Sequence, residues 1–298
     1  MSRSLRILFA VCSLGVAGCS ATCINGATAI DSIPYTITKP GAYCLAKTLQ
    51  ATAGADGITV RADNVTLDLS GHALLGYSNA GKAIDAQQSN YNVSVVNGTI
   101  TSWGGAGVFA PSARGSHYER LQVMRNGGGG LLVGPQSIVD RCTVVWNGET
   151  EEIEHDGVTS QRASGDGISL GQSSMVMDSL VYGNAVDGIV TRWEGTVTRS
   201  RVEANGRAGI WASNGGTVVT DNVIESNFIG VLATRSYNKI DGNHVRFNRT
   251  GIAALDFDSV TRNDTISNGT DITGGAHSGF GPKAPAATTS SPWANVLH

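Results

Sequence analysis

The chain has 298 residues, a formal charge of −3 and 41% apolar residues, enough to bury a core and too many for a disordered polymer. Prolines number 7 and charged residues only 15%, which excludes a collagen-like chain and the dense basic surface of a nucleic-acid binder. Glycine is the anomaly, with 39 residues against a typical ~7% of a chain.

Residues 1–19, MSRSLRILFAVCSLGVAGC, set Arg3 and Arg6 before a short apolar run and small residues. That is the pattern of a secretory signal, too short for a span of ~20 apolar residues. The ending Val16-Ala17-Gly18-Cys19 is also similar to a bacterial lipobox, in which Cys19 would be lipidated and become the mature N-terminus. Ordinary cleavage, for example after Ala21, would instead release a soluble protein. Loss of the two arginines takes the charge from −3 to −5 either way. The expected destination is the periplasm, the cell envelope or the medium. In an oxidising compartment Cys23 and Cys44 are expected to pair as a disulfide, leaving Cys142 as a buried thiol. The six histidines are scattered and no C-x-x-C occurs, so no structural zinc site is expected.

From residue 56 onward the chain repeats. Gly167-Ile168, Gly188-Ile189, Gly209-Ile210, Gly230-Val231 and Gly251-Ile252 recur at a spacing of 21. Each unit continues with an apolar residue near the ninth position (Val176, Val197, Val218) and another at the fourteenth or fifteenth (Val181, Val202, Val223, Val245, Ile266). An asparagine follows: Asn184, Asn205, Asn227, Asn248, Asn268. Looser units start near Gly57, Ala83, Gly107 and Gly130, for about nine coils. Each holds three short alternating apolar stretches, hence strands, which can pair only with their equivalents in the next unit. The prediction is an all-β parallel solenoid, a right-handed β-helix, with about 4.8 Å per coil. Glycine marks corners and close backbone approaches. The asparagines are expected to take left-handed geometry and to bond amide to amide along the stack. A leucine-rich repeat would need L-x-x-L-x-L, and a calcium nonapeptide solenoid G-G-x-G-x-D; neither is present.

The segment from Ile33 to Leu45, together with Asp63 to His72 and Asn97-Gly98-Thr99-Ile100, resembles the opening of bacterial right-handed β-helix repeat proteins of the pectate-lyase-like class. The resemblance runs over about residues 24–272. It implies the fold and leaves the activity unassigned. Residues 22–55 are read as an N-terminal cap stapled by Cys23–Cys44, 56–272 as the β-helix, and 273–298 as a Gly/Pro/Ser/Thr-rich tail whose Pro292 to Val296 could tuck back.

One unit is too long. Gly130 to Gly167 spans 37 residues, 16 more than the period, and the excess sits within Gly148 to Ser164, which carries Glu149, Glu151, Glu152, Glu154 and Asp156. An insertion in a solenoid is expected as a loop on one face, often the binding face. It enters beside Asp166, which with Asp187 precedes the Gly-Ile strand on adjacent coils. Like charges one rung apart raise one pKa, as in an acid and base pair. Asp-Gly at a corner is also ordinary turn chemistry, as at Asp56-Gly57.

Outward positions nearby give Arg192, Trp193, Trp211 and Arg235, and the insertion adds His155 and Arg162. Aromatic and carboxylate groups in a strip suit a sugar chain, through stacking and hydroxyl bonds. Asn184 to Ile189 faintly resembles the N-T-D-G motif of polygalacturonases. The aspartate pair that family needs on the next coil is replaced by Gly206-Arg207-Ala208, so its site is not carried over. Pectate-lyase-like chemistry would place calcium on Asp166, Asp187 and the loop acids, with Arg192 or Arg162 as base.

Two functions follow. One is an exported monomer that binds, and in an enzymatic version cleaves as a lyase or hydrolase, an extended polysaccharide on the Gly-Ile face; Asp166, Asp187 and Arg192 would be catalytic, and Trp193, Trp211, Arg235, His155 and Arg162 would bind. The other is a non-catalytic cell-surface or periplasmic structural or adhesive β-helix.

Overall fold

The computed structural model describes Cys23, residues 26–89, 91–155, 158–274, 279–281, 283–285, Ser291 and 293–297, with backbone only for 149–164 (where described), 280 and 283–285. The signal segment and Cys19 lie outside the described residues. The described chain is all-β and winds into a parallel solenoid of about ten turns. One column of eleven strands starts at Tyr35–Ile37 and ends at Thr270–Thr273. Two further columns share a 22-stranded sheet, because Val93–Thr101 and His117–Met124 each run through the corner between them.

The turn count exceeds the expected nine because Tyr35–Ile37 is already a rung. It pairs in parallel register with Ile58–Val60, inside the segment read as a cap, where the Cys23–Cys44 disulfide forms. At the other end Asn295–Leu297 returns to pair with Asp264–Ile266.

From Ile168 onward β-branched residues fill most of the interior, whereas the upstream coils also bury Leu67, Leu74, Trp103, Tyr118 and Leu131. Ile168, Ile189, Ile210, Val231 and Ile252 stack in one column, fully buried. The second column corrects the sequence reading: Val219, not Val218, continues Val197, because the turn at Gly215-Gly216 holds one extra residue. In the third, Ile224 follows Val202 and Thr265 follows Val245, so Val223 and Ile266 face outward. The constant Gly-Ile spacing hides these compensating shifts in the corners.

Three polar ladders stitch the corners together. In the first, each asparagine donates Nδ2–H to Oδ1 of the next, Asn126 to Asn147 to Asn184 to Asn205 to Asn227 to Asn248 to Asn268, at 2.9–3.2 Å. The second runs from Cys142 through Ser179, Ser200, Asn222, Asn243 and Asn263 to Asn295. Burial there pushes the Cys142 thiol up to about 12. The third includes Thr217, Asn238 and Asp258.

The left-handed residue is not the asparagine. It is the one before it: Trp146, Gly183, Ala204, Ser226, Phe247 and Ser267 all have positive φ. That bend turns the following side chain inward, where its oxygen takes the backbone N–H of the coil below. Non-glycine residues in this conformation cost roughly 1–2 kcal/mol each, offset by hydrogen bonds that would otherwise be buried and unmade.

Asn205 is satisfied on both sides, accepting from Asn184 and donating to Asn227 and Val181. Replacing it by alanine is expected to cost about 2–3 kcal/mol in urea denaturation, since the buried Asn184 N–H loses its acceptor. Ala204→Gly, one residue earlier, is expected to leave stability unchanged or raise it by up to about 1 kcal/mol.

Candidate functional site

The insertion leaves and re-enters the solenoid at a glycine pinch. A Cβ on Gly165 would lie 2.6 Å from Cα of Gly148 and 2.9 Å from N of Gly129. Only glycine permits three backbones so close. Between them the chain forms the expected excursion as an antiparallel hairpin, Glu149–His155 against Val158–Ser164. His155 pairs with Val158 at its tip and Arg162 with Glu151 nearer its root. Their side chains, and those of the acidic residues, lie outside the described residues.

Directly after the hairpin, Asp166 and Asp187 occupy successive coils, and their environments differ. Asp187 is fully buried. Its Oδ1 accepts 2.9 Å hydrogen bonds from Nε of Arg207 and from the Ala208 N–H, and Oδ2 takes Nη2 of Arg207. Asp166 is half-buried, and among the described residues its Oδ1 receives only a long 3.4 Å bond from the Asp187 N–H. Burial, and then the Asp187 charge, push Asp166 up to about 6. The two carboxylates thus have separate roles: one anchors an arginine, and the other is the group able to exchange a proton near neutrality.

Arg207 carries the cluster outward. Its guanidinium lies 4.2 Å from the centroid of Trp211, and Trp211 Nε1–H donates to Oγ1 of Thr234 at 2.9 Å. Arg192, exposed on the same sheet face, lines a depression of about 210 Å³ with Ser169 and Gln172. It acts on Asp166 through its charge alone. At the next corner Trp193, Glu194, Gly215, Gly216, Arg235 and Tyr237 line a groove of about 440 Å³. Among the described residues no three His, Cys, Asp or Glu side chains gather closely enough to hold a cation.

A family model described as "Right handed beta helix region" matches residues 142–279. The chain is a right-handed parallel β-helix. Among solved structures it is similar to the A-module of the mannuronan C-5 epimerase AlgE4 from Azotobacter vinelandii. The TM-score is 0.58 at 16% identity, over 81% of this chain and 84% of the module. It is similar also to the periplasmic alginate epimerase AlgG, with a TM-score of 0.49 at 14% identity over 83% of this chain and 71% of that one. The Dettilon tailspike protein gives 0.48 at 14% identity over 84% of this chain, which spans half of the tailspike's length. At these identities the likeness is one of fold. No curated protein sequence matches the chain.

The β-helix thus brings Asp166, Asp187 and Trp211 into one cluster and sets Trp193 with Arg235 in another, with Arg192 on the face beside them. Sequence reasoning counts Arg207 only as a break in the polygalacturonase pattern, and it passes over Glu194 and Tyr237. It also passes over Trp146, which packs edge-on against Tyr182 at 5.8 Å and lies under the Arg125 guanidinium at 5.3 Å. A signal for them exists. Aromatic-Asn or aromatic-Asp dipeptides in the repeat (Trp146-Asn147, Tyr237-Asn238, Phe247-Asn248, Phe257-Asp258) mark exposed left-handed corners.

Asp187→Ala is expected to lower stability by about 2–3 kcal/mol, because it strips Arg207 and the Ala208 N–H of their acceptor. For Asp166 the sign is opposite. Its folded pKa, about 6, lies above the ordinary aspartate value of 3.8, so the unfolded chain ionises first and stability falls as pH rises from about 4 to 6. Asp166→Asn removes that loss. The stability of the variant relative to wild type should grow over this interval and then level, and a pH-independent difference in thermal denaturation would contradict the assignment.

Proposed function

We propose that this β-helix is an exported protein that binds an extended polysaccharide across the outer face of its eleven-stranded sheet. One contrast carries the reading. On the 22-stranded sheet the charges are tied to each other: Asp178 to Arg199, Glu225 to Arg201 and Arg246, Asp241 to Lys239 and Arg262. Arg262 holds the Asp241 carboxyl down to about 2. On the eleven-stranded side Arg192 and Arg235 are exposed and, among the described residues, make no ion pair, and they stand beside Trp193 and Trp211. Unpaired cations beside the exposed Trp193 indole and the half-buried Trp211 suit hydroxyl-rich rings that stack and hydrogen-bond. The A-module of a mannuronan C-5 epimerase shares this fold, which supports the reading.

The cluster at the hairpin root favours binding over cleavage by an Asp166–Asp187 pair, since Asp187 is committed to Arg207 and Ala208. Asp166 is the carboxyl available for acid–base work if a bond is broken. The leader-like residues 1–19 support export, with the chain anchored through Cys19 or soluble.

The test is binding to a panel of acidic and neutral polysaccharides by affinity electrophoresis, with reducing ends and unsaturated-product absorbance followed in parallel. Trp193→Ala and Trp211→Ala are each expected to weaken binding about tenfold, while Arg141→Gln on the opposite sheet has no effect. Binding insensitive to both tryptophans would refute the assigned face. Turnover that vanishes in Asp166→Asn would add cleavage, and silence across the panel would end the carbohydrate reading.

A further inference from the structure

The groove at Trp193 has a particular shape. The corner position that precedes the third ladder is filled on successive coils by Ser173, Glu194, Gly216, Tyr237 and Phe257, each two residues before paired strand positions. All five have positive φ. Four of them carry side chains, so the backbone does not demand glycine at 216. A Cβ there would meet nothing nearer than 3.4 Å. The preceding position is glycine on the same coil, Gly215, where a side chain would strike the Ser236 carbonyl at 2.5 Å. This coil alone among its neighbours therefore presents a bare corner, with Trp193 and Glu194 on the coil before it and Tyr237 on the coil after.

Tyr237 is held in place. Its ring stacks on Phe257 with centroids 5.7 Å apart and planes 16° from parallel. Phe257 lies one coil further on, so the free face of Tyr237 looks back across Gly216. The walls stand two coils apart, about 9.6 Å between backbones. A ring in contact with an aromatic wall on each side needs about 7–8 Å.

Resting on the glycan reading above, we propose that this notch clamps a single uncharged pyranose whose hydroxyls are all equatorial. Such a ring has only C–H groups on both faces, which suits an apolar wall on each side, and it turns its hydroxyls to the rim. There Arg235 donates, and Glu194, whose Oε2 already takes the Ser173 hydroxyl at 2.9 Å, accepts through its other oxygen. The opposite charges at the rim disfavour an ionised sugar of either sign: a carboxylate would meet Glu194, an ammonium Arg235. One axial hydroxyl would press a polar group against a wall with no partner, a loss of about tenfold in affinity.

The experiment titrates the full chain with a β-linked glucose tetrasaccharide and its mannose counterpart, which differs by one axial hydroxyl per ring, and reads heat and tryptophan fluorescence. The glucose form is expected to bind about tenfold more tightly. Gly216→Tyr extends the Tyr237–Phe257 stack into the notch and should abolish that binding with the fold retained by circular dichroism. Tyr237→Ala, at a side chain 73% exposed, should weaken it even if the glycine variant fails to fold. Equal affinity for the two sugars, or binding unchanged in Tyr237→Ala, overturns the proposal. If neither tetrasaccharide binds while the polysaccharide panel does, the notch assignment fails alone. If the panel is silent too, the wider reading fails with it.

Discussion

The structure depends on one constraint: a flat parallel stack must turn three corners per coil without leaving buried backbone groups unpaired. The solution is local and repeated. A left-handed residue turns the chain, and the next side chain is sent inward to take the backbone N–H of the neighbouring coil. Asparagine suits this because its amide both accepts and donates, so it serves one neighbour and is served by the other. Where the ladder passes through Ser179 or Ser200, a hydroxyl does the same with fewer bonds. The strain of the bend and the satisfaction of the ladder are therefore inseparable.

That arrangement also decides where the surface is free to vary. The inward side chain at each corner is committed to the ladder, but the residue before it projects outward and is constrained only in φ. Large aromatic residues collect there, Trp146, Tyr237, Phe247 and Phe257 among them, and they remain exposed. A solenoid with a monotonous interior thus gains a varied outer edge, in which one coil with glycines between two coils with bulky residues becomes a groove. The hairpin obeys the same logic. It departs where three glycines let the backbones close beneath it, and so the coils on either side keep their pairing.

Charge divides the outer surface in two. On the 22-stranded sheet, carboxylates such as Glu225 and Asp241 are buried and each is neutralised by arginines from other coils. These act as cross-coil ties. On the eleven-stranded sheet Asp187 ties Arg207 and Asp85 ties Lys82, while Arg192 and Arg235 are left to solvent. A surface whose charges are already mutual has little to offer a ligand, whereas one with unpaired donors beside indoles has much.

The sequence by itself determined the coil. Repetition of glycine, aliphatic and asparagine positions at one period has few physical solutions, and the parallel stack, the buried valines and isoleucines and the asparagine ladder were all legible from Gly167 onward. It misplaced what periodicity averages away. The extra residue at Gly215-Gly216 shifted the inward position to Val219, and the left-handed residue was one place earlier than expected. Tertiary structure alone decided which carboxylate is committed and which is not. Asp166 and Asp187 have the same sequence context, Asp-Gly-Ile, and differ because Arg207 stands one coil above the second and nothing equivalent stands above the first. It alone also made Gly216 meaningful, since a gap has no residue to announce it and exists only through what its neighbours on the coils before and after present.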